Sequence, residues 1–167
     1  MTGPAPLSYS IAQRVVHWLS VLLVFYNLLF TETMEEWGER IAEGYKPTPE
    51  DISSANIHAY VGMAILALLV IRLALRRIQG VPEAPAAEPA SFRIMASIGH
   101  GALYLLLLIM PLAGIAAYYF DSSLAGTLHG GPMKLLLWIL LIVHIAAVLV
   151  HKFVWKTNVL ERMTKGV

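Results

Sequence analysis

The chain has 167 residues, of which 57% are hydrophobic and only 14% are charged, and its mean hydropathy is +0.66. Soluble domains carry about 25% charged residues, so this composition indicates a chain that lies mostly in lipid and has no nucleic-acid partner. The absence of cysteine excludes disulfides, iron–sulfur clusters, covalent c-type haem and a cysteine nucleophile. The formal net charge of +1 is informative only through its distribution.

Four long stretches of the chain carry no charged residue: residues 15–31, 52–71, 94–120 and 135–151. A membrane span needs about 20 mostly apolar residues, and flanking Lys or Arg side chains can reach the interface. The first stretch is too long for a signal-peptide core and no small-x-small cleavage site follows it, so we expect it to be retained. We therefore predict an all-α, integral membrane four-helix bundle that forms one domain over residues 1–167, with spans at about residues 12–31, 55–76, 94–119 and 133–154.

The basic residues are distributed unevenly between the two sides of these spans. One side carries only Arg40, Lys46 and Lys134. The other side carries the remaining nine: Arg14, Arg72, Arg76, Arg77, Arg93, Lys152, Lys156, Arg162 and Lys165. Because basic residues are retained on the cytoplasmic side, we predict that both termini are cytoplasmic and that the protein crosses the bacterial inner membrane four times.

The loop between the first two spans, residues 32–51, is acidic. Its carboxylates are Glu32, Glu35, Glu36, Glu39, Glu43, Glu50 and Asp51. Within it, Met34, Trp37 and Ile41 recur at spacings of three and four, which predicts a short helix over residues 33–43 that lies on the membrane surface. The Pro/Ala-rich residues 81–89 predict an extended linker on the other side.

Histidines are the most informative residues of the spans. His17, His58, His100, His144 and His151 lie inside or at the edge of a predicted span, and His129 lies in the second outer loop. Ionisable residues in a membrane segment are costly and usually functional. His144 and His151 are seven residues apart, which is two nearly complete turns and about 10 Å of rise. That spacing suits two stacked cofactors better than one metal ion, whose ligands on a helix lie three or four residues apart.

The direction of the spans predicts how these histidines pair. His17 and His151 both lie near the cytoplasmic side, whereas His58 and His144 lie farther out. We therefore predict two bis-histidine haems b, with the axial pairs His17–His151 and His58–His144, because haem iron accepts neutral imidazole and a bundle supplies an apolar pocket. Gly62 and Gly114 would leave room for a porphyrin, although small residues also serve ordinary helix packing.

Three further side chains are candidates for the same sites. Arg72 follows His58 by 14 residues and returns to nearly the same face, and Arg14 precedes His17 by one turn. Either arginine could pair with a haem propionate or simply anchor its helix at the cytoplasmic interface. His100 lies at a depth similar to that of the cytoplasmic pair, where a quinone hydrogen bond or a packing role is favoured over axial ligation.

Four stretches of the sequence carry a resemblance to a known family: residues 9–19 (YSIAQRVVHWL), 56–76 (NIHAYVGMAILALLVIRLALR), 99–114 (GHGALYLLLLIMPLAG) and 143–163 (VHIAAVLVHKFVWKTNVLERM). The most specific parts are R-x-x-H-W near the start, and H-x6-H with W-K-x-N-x-L-x-R-M near the end. The chain resembles the bacterial cytochrome b561 family of four-helix di-haem proteins. Its core is also similar to the b-type subunits of membrane hydrogenases and formate dehydrogenases.

The resemblance implies haem ligands on the first, second and fourth spans, which here are His17, His58, His144 and His151. It also implies electron exchange with ubiquinone, and some members of the family are superoxide oxidases. The second outer loop, residues 121–132, is shorter than in the members known for superoxide oxidation. This difference leaves the identity of the outer electron donor open.

Two functions are compatible with these features. In the first, the chain is an oxidoreductase that passes electrons from superoxide to ubiquinone, with Lys134 and Lys46 providing positive charge for the anion. In the second, it is an electron-transfer subunit or relay, because the acidic first loop would repel superoxide and attract a basic periplasmic redox protein such as a c-type cytochrome. A purely structural haem-binding protein is the least favoured class, since two haems at different depths serve electron transfer.

Overall fold

The computed structural model describes residues 5–30, 38, 40, 41 and 43–166, and within these ranges it contains helices and no strands. Three long helices are α1 (Ile11–Leu29), α2 (Pro49–Gln79) and α3 (Ala90–Phe120). A fourth long helix consists of α4 (Ser123–Leu128), a π-helical segment (His129–Met133) and α5 (Lys134–Phe153). A short helix, α6 (Val159–Thr164), follows. Of the predicted surface helix at residues 33–43, the structure describes residues 38, 40, 41 and 43, and the first three of these are helical; the others lie outside the described residues.

All four long helices are long and apolar enough to cross a membrane, as predicted. Six side chains contributed by all of them form the buried centre: Val24, Leu28, Ile65, Leu103, Leu106 and Leu137. Large apolar side chains elsewhere are exposed, including Leu22 at 65% and Ile142 at 62%. A helix that is apolar on its outward faces suits a lipid environment, because lipid tails are as apolar as the protein core.

Reciprocal side-chain caps determine where α1 and α2 begin. The Ser10 hydroxyl accepts a hydrogen bond from the Gln13 N–H (3.2 Å), and the Gln13 side chain accepts one from the Ser10 N–H (3.1 Å). Thr48 and Asp51 form the same reciprocal pair ahead of α2. Such caps satisfy backbone N–H groups that have no partner within the helix. As a result α2 begins at Pro49, before the predicted span start at residue 55.

The fourth long helix begins at Ser123, well before the predicted start at residue 133. The prediction took this span from the charge-free stretch 135–151, which Lys134 precedes, and assigned residues 121–132 to a loop. Proline lacks the N–H that a regular α-helix needs. Here the chain passes Pro132 in the wider π-helical form, which is typical of functional sites, and the helix continues.

Both termini lie at one end of the bundle, which we call the inner end after the predicted orientation; the opposite end is the outer end. Helix α6 is tied across the inner end by two side chains of α1. Arg14 Nη1 donates to the Thr164 carbonyl (2.9 Å) and Trp18 Nε1 to the Met163 carbonyl (3.1 Å). Lys152 pairs with Glu161, and this hydrogen bond holds the pKa of Glu161 below its usual range.

Candidate functional site

Five of the six histidines form two groups. Toward the outer end, the ring centres of His58 and His129 are 6.0 Å apart. Toward the inner end, the ring centre of His144 is 6.5 Å from that of His17 and 5.4 Å from that of His100. Each group lines a cavity of its own, so the bundle contains two separate sites that are stacked along its axis.

The outer cavity has a volume of about 330 Å³ and is lined by all four long helices. Besides the two histidines, its lining includes Asn27, Gly114 and Lys134. Ligand cavities in proteins occupy about 300–1,000 Å³. The cavity is therefore large enough to accept part of a cofactor, and Lys134 places a positive charge at it.

His129 is held in place at the start of the π-helical segment. Its Nδ1 lies 2.8 Å from the Met110 carbonyl oxygen. Because a carbonyl only accepts hydrogen bonds, Nδ1 carries the proton and Nε2 of the neutral ring is available to a metal. Gly114 makes this position possible, since a Cβ atom there would lie only 3.1 Å from Cε1 of His129.

The inner cavity has a volume of about 400 Å³. Its lining includes His17, His100, His144 and Arg72, together with Met163 of α6. Nδ1 of His100 donates to the Ala96 carbonyl of its own helix (2.7 Å). Because Val159, Leu160 and Met163 all belong to the lining, helix α6 forms the wall of this cavity at the inner end.

Arg72 contacts the axial candidate His17 directly. Its Nη1 lies 2.7 Å from Nδ1 of His17. Arginine only donates hydrogen bonds, so Nδ1 of His17 is the acceptor, and Nε2 of the neutral ring carries the proton. Among the arginines considered from the sequence, Arg72 is thus the one that lies inside the inner cavity, with its charge next to a histidine.

The two ring pairs fit an iron held between two imidazoles. Imidazole nitrogens bind metals at about 2 Å, so two rings on opposite sides of one iron have centres about 6 Å apart. The His58–His129 and His17–His144 distances of 6.0 and 6.5 Å match this separation, and the His100–His144 distance of 5.4 Å is short for it. In the described part of the chain no cluster of three or more His, Asp or Glu side chains could hold a bare metal ion.

This arrangement differs from the predicted pairing. His144 lies next to His17 at the inner cavity, not next to His58, and the partner of His58 is His129. The reason is the length of the fourth long helix. His129 belongs to this helix and precedes His144 by about 22 Å of helical rise, so His129 supplies the outer histidine and His144 the inner one.

His151, which was predicted to be the partner of His17, lies outside both groups. Its residue is only 8% exposed, its Nδ1 lies 2.9 Å from the Thr157 hydroxyl, and its Nε2 lies 3.7 Å from Oε1 of Glu88. Glu88 is itself 5% exposed, and a buried carboxylate without a partner costs several kcal/mol. Nε2 of His151 therefore faces the 81–89 linker, and Nδ1 joins α5 to the residues that follow it.

Arg14 also differs from its predicted role. Instead of entering the inner cavity, its guanidinium extends to the chain end, where it donates to Thr164 and packs against Gly166. From the sequence, Arg14 and Arg72 were both candidates to pair with a haem propionate. Of these two, only Arg72 lines the inner cavity. The contribution of Arg14 is to tie α6 over the inner end.

Comparison with known proteins agrees with this architecture. A family model described as prokaryotic cytochrome b561 matches residues 8–166. A cytochrome b562 of Cereibacter sphaeroides is 31% identical over 157 residues, which cover 94% of this chain and 95% of that protein. A probable superoxide oxidase CybB of Yersinia pestis is 29% identical over 176 residues, which cover 93% of this chain and 94% of that protein.

These matches extend over nearly the whole chain and include all four membrane helices. They agree with the resemblance that the histidine and tryptophan motifs indicate. The chain therefore belongs to the prokaryotic cytochrome b561 family, whose members bind haem b and transfer electrons, and it is a multi-pass protein of the bacterial inner membrane.

Proposed function

We propose that this chain transfers electrons across the inner membrane between a donor at the outer face and ubiquinone, with one haem b in each cavity. His58 and His129 hold the outer haem, and His17 and His144 hold the inner one. The observation that carries the proposal is the presence of two separate cavities, each with two histidine rings at the separation that an iron requires. Two sites stacked along the bundle axis are suited to transfer between its ends.

When bound, haem iron supplies reversible one-electron chemistry, and the residues of the chain orient it and control access. The Met110 carbonyl fixes the tautomer of His129, which orients the ligating nitrogen. At the inner site, Nε2 of His17 must give up its proton to bind iron, and the proton then resides on Nδ1. With haem bound, Arg72 could not donate to that nitrogen, and its guanidinium would be available to pair with a propionate, a pairing that suits arginine.

The distribution of charge supports an orientation with both termini in the cytoplasm. Nine of the twelve Lys and Arg residues are at the inner end, and basic residues favour the cytoplasmic side. The outer cavity then faces the periplasm. An electron donor in the periplasm reaches His58 and His129, and ubiquinone exchanges electrons from within the membrane.

We propose superoxide as the donor, because Lys134 lines the outer cavity. The acidic loop would repel an anion, but at physiological salt charges act over only about 8 Å. Among its described carboxylates, Asp51 is paired with Arg40 at 3.9 Å. The family likeness to a probable superoxide oxidase supports the same donor.

Lys134→Glu should slow reduction of the purified protein by superoxide several-fold, because it reverses the charge at the outer cavity. Stopped-flow absorbance of the reduced haem measures the rate, and the difference should shrink at high salt. Lys46→Glu is the matched control: it makes the same change of charge at the same end of the bundle, on an exposed residue of the acidic loop. It should alter the rate much less.

The relay function is the second candidate, and the excess of carboxylates in residues 32–51 favours it. A basic protein donor would bind to that loop rather than enter the cavity. Unchanged superoxide rates in Lys134→Glu, together with fast and salt-sensitive reduction by a basic c-type cytochrome, would replace the superoxide proposal with the relay.

A further inference from the structure

Asn27 is a polar side chain in the apolar helix α1, and it lines the outer cavity. Its Nδ2 donates a hydrogen bond to the backbone carbonyl of His58 (3.1 Å). Its Oδ1 is buried and has no hydrogen-bond partner among the residues that the structure describes. An unpaired buried carbonyl destabilises a protein, and it does so more strongly in a membrane, so an amide at this position calls for an explanation.

The second orphaned atom of the outer cavity is Nδ1 of His58, which is also buried without a partner. The other cavity histidines for which Nδ1 contacts are described differ in this respect. His129 donates from Nδ1 to Met110, and His100 donates from Nδ1 to Ala96. Of the two proposed outer ligands, His129 is therefore held by a hydrogen bond from Nδ1, and His58 is not.

The two orphaned atoms are chemically complementary. A histidine that binds iron through Nε2 carries its proton on Nδ1, and that N–H almost always has an acceptor in metal sites. The Asn27 Oδ1 atom is an acceptor only. The Asn27 amide is already bonded to the backbone carbonyl of His58, so the two orphaned atoms belong to residues that are in direct contact.

We propose that Asn27 is the positioning residue of the outer site, whose Oδ1 accepts the hydrogen bond from Nδ1–H of His58 when His58 ligates haem. This inference rests on the proposed function, because it requires a haem in the outer cavity. The hydrogen bond orients the ring and raises the basicity of the ligand. A more basic imidazole favours the ferric state, so Asn27 lowers the reduction potential of the outer haem and leaves that of the inner haem unchanged.

Two substitutions separate the acceptor from the rest of the side chain. Asn27→Leu has a similar shape and removes both polar atoms, and Asn27→Asp keeps an oxygen acceptor but loses the donor to the His58 carbonyl. Ser20→Ala is the matched control, because Ser20 is a buried polar residue of the same helix whose hydroxyl bonds only to Val16. Optically monitored redox titration of the full protein measures the potentials of both haems, and the titration step that is missing in His58→Ala identifies the outer one.

We expect Asn27→Leu to raise the equilibrium constant for reduction of the outer haem by up to tenfold, about 59 mV for a one-electron couple. Asn27→Asp should not raise it, and Ser20→Ala should change neither potential. An unchanged potential of the outer haem in Asn27→Leu, or a raised potential in Asn27→Asp, overturns the inference. If Asn27→Leu does not assemble, the potential of the outer haem in Asn27→Asp still tests it. If His58→Ala keeps both haems, the proposed function has failed instead.

Discussion

His129→Ala should remove the outer haem and leave the inner one, so that the purified variant contains one haem b per chain instead of two. The reason is that His129 provides the only histidine ring within the described part of the chain that lies near His58. The described lining of the outer cavity offers no other imidazole. The measurement is haem content together with the absorbance spectrum of the reduced protein.

His151→Ala is the control for this prediction, since it removes an imidazole from the same long helix. Its ring faces Thr157 and Glu88, so both haems should remain, although the buried carboxylate left behind should lower the stability of the protein. If His151→Ala lost a haem and His129→Ala kept both, the pairing predicted from the sequence would be right and the one drawn from the structure would be wrong.

The second large effect is expected at the inner site. His144→Ala and His17→Ala should each lose the inner haem and keep the outer one, because their rings are 6.5 Å apart at the inner cavity. His100→Ala should keep both haems. The ring of His100 is too close to that of His144 to share an iron with it, and its Nδ1 is bonded to its own helix.

Haem content and low-spin character of the three variants distinguish these roles. A His100→Ala protein that lost the inner haem, beside a His17→Ala protein that retained it, would make His100 the axial partner of His144. A lowered potential or altered spectrum without haem loss in His100→Ala is compatible with our assignment, since His100 lines the cavity.

The fold was predictable because membrane spans leave a strong signal. Runs without charge identified all four long helices, and lipid requires each run to satisfy its backbone internally as a helix. The helix ends were less predictable. The start of α2 depends on the Thr48–Asp51 cap, and the start of the fourth long helix depends on a π-helical segment that lets the chain pass Pro132.

The early start of the fourth long helix explains why the sequence analysis identified three of the four proposed ligands and not the fourth. His17, His58 and His144 were identified from their positions in the spans, and His129 was assigned to a loop because the predicted fourth span began at about residue 133. A usable signal existed. His129 precedes His144 by 15 residues, close to four helical turns, and residues 123–133 carry no charge.

The prediction that His151 binds haem depended on its spacing in the sequence. Its spacing of seven from His144 predicts a shared helical face, but spacing does not reveal what lies opposite that face. The partners of His151 come from the linker and from the residues after α5, namely Glu88 and Thr157. Contacts of this kind depend on tertiary structure, and the same holds for Arg14, which extends to the chain end.

The stoichiometry of haem in the purified wild-type protein tests the central claim most directly, since that claim is one bis-histidine haem in each of two cavities. A pyridine haemochrome assay, combined with amino-acid analysis of the same sample, gives haem b per chain, and electron paramagnetic resonance gives the spin state. We predict two haems b per chain, both low-spin because each iron has two imidazole ligands. One haem per chain, or a high-spin iron with an open position, would contradict the account.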